Sequence, residues 1–428
     1  MTVKFEKTKP FEKENAIVDG VDISGRWSRM FEQRVIFEYT PELIQKVAGF
    51  PDAGSFAYCY QCAKCVGVCP VDIVGDYGPR KIYKNAQTGT DLLQSPDLWL
   101  CTTCANCLRV CPKEVNMIKI MPAAREQAIL NGNFVPKELQ DAFENTAKSG
   151  NPLGQPQRKR DAWIQTAGVQ VPIIKDVARP VDALWYVGSY PSYHPRGIDA
   201  ASAAARIFTA LGIDFAILGK EEKDDADTQR LAGEKGLFEM MAEYNIQTFN
   251  KYEWKEMVVT GPHELNAFKN VYPQYGFDRP VVHYTTFLTR YLDQLKPLLK
   301  HPVDKKVTYH DPCYLGRHNG EYEAPRKLLK AIPGLELVEM GRNRENGYCC
   351  GGGGGGMWID SFNDKYIKLR LSEKRAMEAA STGADVLAVA CPFEVSRFED
   401  AVKATGNEHL RVLDILQLLD QSMNGEEE

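Results

Sequence analysis

The 428-residue chain has no window of about 18 or more uninterrupted apolar residues, which excludes a simple membrane-spanning helix. Its opening, MTVKFEKTKPFEKEN, lacks the apolar core of a secretory signal. There is no basic excess either. Lys and Arg number 52 against 57 Asp and Glu, a net charge of −5, so nucleic acid is not an expected partner. No dinucleotide fingerprint stands between a strand and a helix, and no C-x-x-C-H haem signature occurs. A flavin or haem would therefore sit on a partner. Twelve cysteines are too few for a disulfide scaffold, and none falls between Cys111 and Cys313. What remains is a globular, cytoplasmic protein, with docking at the inner face of a membrane through a partner left open.

The cysteines that are present come in blocks, which in a cytoplasmic chain points to metal. The first block reads Cys59-x2-Cys62-x2-Cys65-x3-Cys69-Pro70 and the second Cys101-x2-Cys104-x2-Cys107-x3-Cys111-Pro112. Both have the spacing of two-cluster ferredoxins, whose fourth cysteine, ahead of proline, ligates the other cluster. That assigns Cys59, Cys62, Cys65 and Cys111 to one [4Fe–4S] cluster, and Cys101, Cys104, Cys107 and Cys69 to a second. Thiolate is a soft ligand that suits iron–sulfur. Zinc sites take four ligands in paired C-x2-C form, not three plus one twice over. The segments between the motifs read as helical, with Ser95 able to cap and Pro96 to start the turn before Cys101. An α-helical ferredoxin domain is thus expected over residues 1–150. It includes a helix capped by Thr40, with Pro41 in its first turn and Leu43, Ile44 and Val47 on one face.

Residues 151–180 read as a linker, and the Arg158-Lys159-Arg160 run within it as a solvated turn. Beyond 180, short apolar runs alternate with helical patterns, the signature of an α/β unit with a mainly parallel sheet. ALWYVGS, DFAIL and MVVT are strands at 181–282, and VVHYTTFLTRYLDQLK is a connecting helix, assigned to the segment 283–303. The alternation then repeats over 304–428: KVTYHDPC, LELVEM and VLAVAC are strands, 358–381 a long helix and 394–404 another. The two series superpose by offset. Ser189 falls on Cys313, Asp224-Asp225 on Cys349-Cys350, Gly261 on Cys391, Pro262 on Pro392, Glu264 on Glu394 and Phe268 on Phe398.

Cys313, Cys349, Cys350 and Cys391 form a third set of four and use up the cysteines. Gly351, Gly352 and Gly353 open a six-glycine run that lets backbone pass close to a bulky cofactor and aim amides at sulfide. A helix from about Met357 would then turn its N-terminus toward the cluster. A phosphate-binding loop is the rival, but the run lacks the Lys-Ser/Thr ending of a P-loop. His310 and His283 are candidate proton donors beside this set, with plain hydrogen bonding as the alternative. His194 and His263 flank the cysteine-free positions and read as relics.

The pattern HDPCYLGRH … YCCGGGG … ACPF resembles the CCG domain of heterodisulfide reductase-type proteins. YVGSYPSYHPR … TGPHELNAFKNVYPQYG resembles a second such domain. With the helical ferredoxin in front, the order is similar to that of the D-type subunit of heterodisulfide reductase. The fold this implies is mixed: an N-terminal α-helical ferredoxin domain followed by two tandem α/β CCG domains. A full CCG domain supplies five cysteines. The first repeat has none, and hard carboxylates ligate iron–sulfur poorly, so that half is expected to carry no cluster. Glu394 replaces the fifth cysteine of the second repeat, as an added ligand or as a relic, and leaves the third cluster [4Fe–4S] or non-cubane. The resemblance implies an electron-transfer subunit of a heterodisulfide-reductase-like complex. It would work with flavoprotein, cytochrome or further iron–sulfur subunits. A catalytic thiol/disulfide oxidoreductase and a structural adaptor for flavin or cytochrome subunits are the alternatives.

Overall fold

The computed structural model describes residues 17–18, 21–22, 41–89 and 92–425. Thr40 lies outside the described residues; the helix it was expected to cap runs Pro41–Ala48 and buries Val47. Short helices follow, and two longer ones, Met117–Leu130 and Lys137–Ser149, close the N-terminal region. Its two cysteine loops share one backbone device. Gln61 and Ala63 in the first, and Thr103 and Ala105 in the second, sit at φ between 52° and 67°. Left-handed backbone costs a non-glycine residue roughly 1–2 kcal/mol. A pair of such residues between the cysteines curls each loop so that its thiols converge. Pro70 and the residues after it then form a helix directly behind Cys69. Ser95 Oγ accepts from the Asp97 amide at 3.3 Å, ahead of the turn Asp97–Leu100 that leads into Cys101.

Two four-stranded sheets follow. We number their strands β1 (Val181–Tyr186), β2 (Phe215–Ile217), β3 (Trp254–Val259), β4 (Val281–His283), β5 (Lys306–Tyr309), β6 (Glu336–Val338), β7 (Val386–Val389) and β8 (Arg411–Asp414). The first sheet runs β2-β1-β3-β4 and the second β6-β5-β7-β8, every pairing parallel. The strand order within each half is therefore the same. Central strands of parallel sheets are covered on both faces, which explains their unbroken apolar runs. Trp185 on β1 shows this: it is fully buried, edge-on to Trp163, Phe208 and Phe215. Helix Pro195–Ala210 packs on helix Ile415–Asn424 and joins the halves, with Arg206 paired to Asp420 at 2.5 Å.

The structure corrects several expectations. The segment 281–296 is not one helix. Val281 and Val282 prefer the sheet and extend it beside β3, Val258 opposite Val282. Helices Tyr284–Thr289 and Leu292–Leu295 come after. Nor is 358–381 one helix. It is split into Asp360–Asn363 and Leu371–Ala380, because the chain between them pairs Ile367 with Gly75 of the ferredoxin region. Residues 151–180 are packed rather than free: Trp163 is buried and Ile173 bridges to Ile217. Arg160, expected in a solvated turn, is fully buried and paired with Glu222 at 2.6 Å. The second sheet also gains β8, a strand beyond those expected.

Candidate iron–sulfur sites

Cys59, Cys62, Cys65 and Cys111 line one cavity of about 320 Å3. Cys69, Cys101, Cys104 and Cys107 line another of about 350 Å3, walled by Tyr77, Met117 and Ile118. The proline-preceding cysteine of each motif thus stands with the other motif's first three. Burial pushes the Cys65 thiol up to about 11 and the Cys107 thiol up to about 12. Burial disfavours the thiolate, and a bound cation would supply its counter-charge. Amides already point at sulfur: Thr103 N lies 3.4 Å from Cys101 Sγ and Val115 N 3.3 Å from Cys111 Sγ.

Cys313, Cys350, Cys391 and Glu394 line a third cavity of about 550 Å3 between the two halves. Cys313 follows β5, and Cys391 follows β7 at the N-cap of helix Pro392–Ala404. Cys349 is placed differently. Its Sγ donates to Thr102 Oγ1 at 3.4 Å, and the thiols of Cys104, Cys313 and Cys350 stand beside it. These neighbouring thiols hold the Cys349 thiol well below its usual range, while Cys349 pushes the other three up. Cys349 therefore joins the second thiol set to the third. Gly351 N and Gly352 N face Cys349 Sγ at 3.3 Å and Cys350 Sγ at 3.5 Å. The glycine run has a second role that the sequence did not reveal. A Cβ on Gly353 or Gly354 would come within 2.5 Å of the Thr102 or Cys101 carbonyl, so the run lies flat on the second cysteine loop. No helix starts at Met357; the backbone there is in turns.

His310, Cys350 and Glu394 place ligand atoms within 4.8 Å of one another, all buried. His310 Nδ1 accepts from Arg375 Nε at 3.1 Å, which puts its proton on Nε2, 3.2 Å from Glu394 Oε1. Alignment is poor, and neither His310 Nε2 nor Glu394 Oε2 has a hydrogen-bond partner. Burial keeps both neutral, His310 well below and Glu394 well above their ordinary values. His283 differs from expectation. It ends β4, its Nδ1 pairs with Thr285 Oγ1 at 2.8 Å, and its Nε2 pairs with the Thr260 carbonyl at 3.0 Å. Burial pushes it down to about 3. Nδ1 accepts from the Thr285 amide, so the neutral ring carries its one proton on Nε2 and donates it to the Thr260 carbonyl; His283 caps a helix with both nitrogens engaged. His263 instead lines the third cavity, stacked on Tyr314 at 3.9 Å and bonded to Asp227 Oδ2 at 2.8 Å.

Two arginines stand out. Most buried arginines here face a carboxylate: Arg160 meets Glu222, Arg326 meets Asp311, Arg375 meets Glu378 and Arg397 meets Asp360. Arg125 is fully buried and donates only to carbonyls, those of Leu98, Cys101, Leu231 and Gly354, at 2.7–2.8 Å. Arg317 donates to the Cys104 carbonyl at 2.6 Å and the Gly347 carbonyl at 2.7 Å, while its Nη2 is shut from water without a partner. Arg125 adjoins Cys101 of the second set, and Arg317 adjoins Cys104 of the second and Cys313 and Cys349 of the third. A net-negative cluster is the counter-charge that such guanidinium groups require. Thiols, amides and cations together fit iron–sulfur.

The equivalent positions of the first half hold no thiol. Ser189 Oγ donates to Asp224 Oδ2 at 2.6 Å and receives Arg160 Nη1 at 3.1 Å. Glu264 fills the space over Gly261, where a Cβ would stand 1.9 Å from its Oε2. Burial pushes Glu264 up to about 8 and Asp225 well above its usual value, and each keeps one oxygen unpartnered.

Residues 58–116 match the family described as 4Fe-4S dicluster domain, and residues 307–393 the cysteine-rich CCG domain. The chain carries a 4Fe-4S dicluster domain and a CCG domain. It is 35% identical over 355 residues to the Probable iron-sulfur-binding oxidoreductase FadF of Bacillus subtilis, covering 82% of this chain and 49% of that one. It is 32% identical over 339 residues to the EtfAB:quinone oxidoreductase of Syntrophomonas wolfei, covering 78% and 47%. With a subunit of the Dihydromethanophenazine:CoB--CoM heterodisulfide reductase of Methanosarcina barkeri, identity is 29% over 399 residues, covering 85% and 93%. The chain therefore spans about half the length of the first two relatives and nearly all of the third. Among the described residues of this CCG-domain protein, no helix is long and apolar enough to cross a membrane.

Proposed function

We propose that the chain is a one-electron relay subunit of a heterodisulfide-reductase-like complex. Residues 59, 62, 65 and 111 hold one [4Fe–4S] cluster, residues 69, 101, 104 and 107 a second, and residues 313, 349, 350 and 391 a third. In this reading 304–428 is the cluster-bearing CCG domain and 181–282 a degenerate copy without one. Bound iron–sulfur clusters supply one-electron exchange. The chain supplies position, dryness and charge. Supporting this most directly is Cys349, packed on Cys104 and Thr102, which brings the third thiol set against the second. Partners would be further redox subunits, since relatives bear the names of complex subunits and quinone oxidoreductases. Docking near a membrane would come through such a partner.

Iron analysis of anaerobically purified protein tests the assignment. Three cubanes give about twelve irons per chain. Cys313→Ala should leave about eight, with both remaining signals intact by electron paramagnetic resonance. About eight irons in the unmodified chain, unchanged by Cys313→Ala, would remove the third site. A second reading, thiol/disulfide catalysis at the third site, draws on His310, Glu394 and His263 around the same cavity. Reduction of a disulfide by the isolated chain with an artificial donor would favour it; failure favours the relay.

A further inference from the structure

We propose that the rim around Cys62 is the docking face for an acidic one-electron carrier protein. This rests on the relay reading and names the partner at its outer end. Cys62 is the one exposed cysteine of the twelve. It shares its cavity with Tyr60, and Tyr58 and Tyr60 are 69% and 58% exposed. Bare aromatic side chains anchor interfaces. Lys64, Arg80 and Lys113 line the same cavity, all exposed, and among the described residues no carboxylate lines it. The whole chain carries −5, so this basic rim is local and not a reflection of composition. The second thiol cavity has no charged lining at all. Positive charge gathered around the accessible end of a thiol series attracts and orients an anionic partner. A membrane is a poorer occupant, because three cations supply only about 1 kcal/mol each toward an anionic surface. The exchange moves one electron and no proton: as the carrier is oxidised the chain is reduced, or the reverse.

The test is calorimetric titration of the iron-loaded protein with a flavodoxin, an acidic one-electron carrier, at low and high ionic strength. Binding should weaken at least tenfold at high salt. It should also weaken at least tenfold in K64E/R80E/K113E at low salt, with iron content and resonance signals unchanged. A basic cytochrome c should bind the triple variant better than the unmodified chain. Should the triple variant lose iron, K113E with the salt series on the unmodified chain decides. Salt-independent binding, equal binding by the variant, or preference for phosphatidylserine vesicles over flavodoxin would overturn the docking face. Absence of binding by the unmodified chain with its clusters intact counts against this proposal alone. Charge-dependent binding by a chain lacking the second or third cluster counts against the relay alone.

Discussion

The two α/β halves have one strand order and opposite contents. Where the second half gathers Cys313, Cys350 and Cys391 around a cavity with Cys349 set behind them, the first places a serine, two aspartates and a glycine, and Glu394 and Glu264 occupy equivalent positions. The difference shows what holds each centre together. In the first half, Ser189 and Asp224 bond to each other and the Glu264 carboxyl group fills the space over Gly261, with one oxygen each of Asp225 and Glu264 left unpartnered. In the second, the thiols gather with His310 Nε2 and Glu394 Oε2, which likewise lack partners among the described residues, and with the Arg317 guanidinium. The fold tolerates both because the strands and covering helices, not the centre, supply most of the buried apolar surface.

Four measurements would break or sharpen this contrast. The largest effect belongs to Cys350→Ala, which should remove about four irons per chain, read by iron analysis. Asp225→Ala, its counterpart, should remove none; iron lost with Asp225 would end the distinction. Next comes Arg125→Met, which strips four buried carbonyls of their donor. It should destabilise the protein by at least about 1–3 kcal/mol, the cost of one buried carbonyl left without its donor, in chemical denaturation. Gly261→Ala follows. Its Cβ collides with Glu264, which should cost about 1–3 kcal/mol, and Gly261→Ala with Glu264→Ala should recover most of that. The smallest is a pH effect. Glu264 is held at about 8 when folded and ionises near 4.5 when unfolded. The unfolded chain therefore releases its proton first, and this group's contribution to stability declines from about pH 4.5 to about pH 8. Glu264→Gln should flatten the melting-temperature profile across that window, leaving the slope contributed by Asp225. An unchanged profile would show that Glu264 is ionised throughout.

The ferredoxin cysteines were legible because their spacing is a local property of the chain. The alternation of strands and helices was legible for the same reason. Three-residue β4 was not, since Val281-Val282-His283 runs without a break into a helical pattern and only the neighbouring β3 decides between them. The 358–381 helix failed similarly: nothing near Ile367 announces that Gly75 will pair with it. Arg160 was read as part of a solvated turn, and nothing local marks what Arg125 and Arg317 bond to, because the partners of these three lie 62, 106, 229 and 213 residues away. His263 looked like a relic because its place over the third cavity depends on how the halves face each other.

Arg125 also bears on how the protein is made. Its guanidinium ties the second cysteine loop to Leu231 and to Gly354, three stretches far apart in sequence that meet around one positive charge. Carbonyl oxygens carry only partial negative charge, so they offset a buried guanidinium less than a full anion does. Under the proposed relay, an anionic cluster on the Cys101 loop would lie beside that charge, and iron loading would favour closure of the glycine run over the loop.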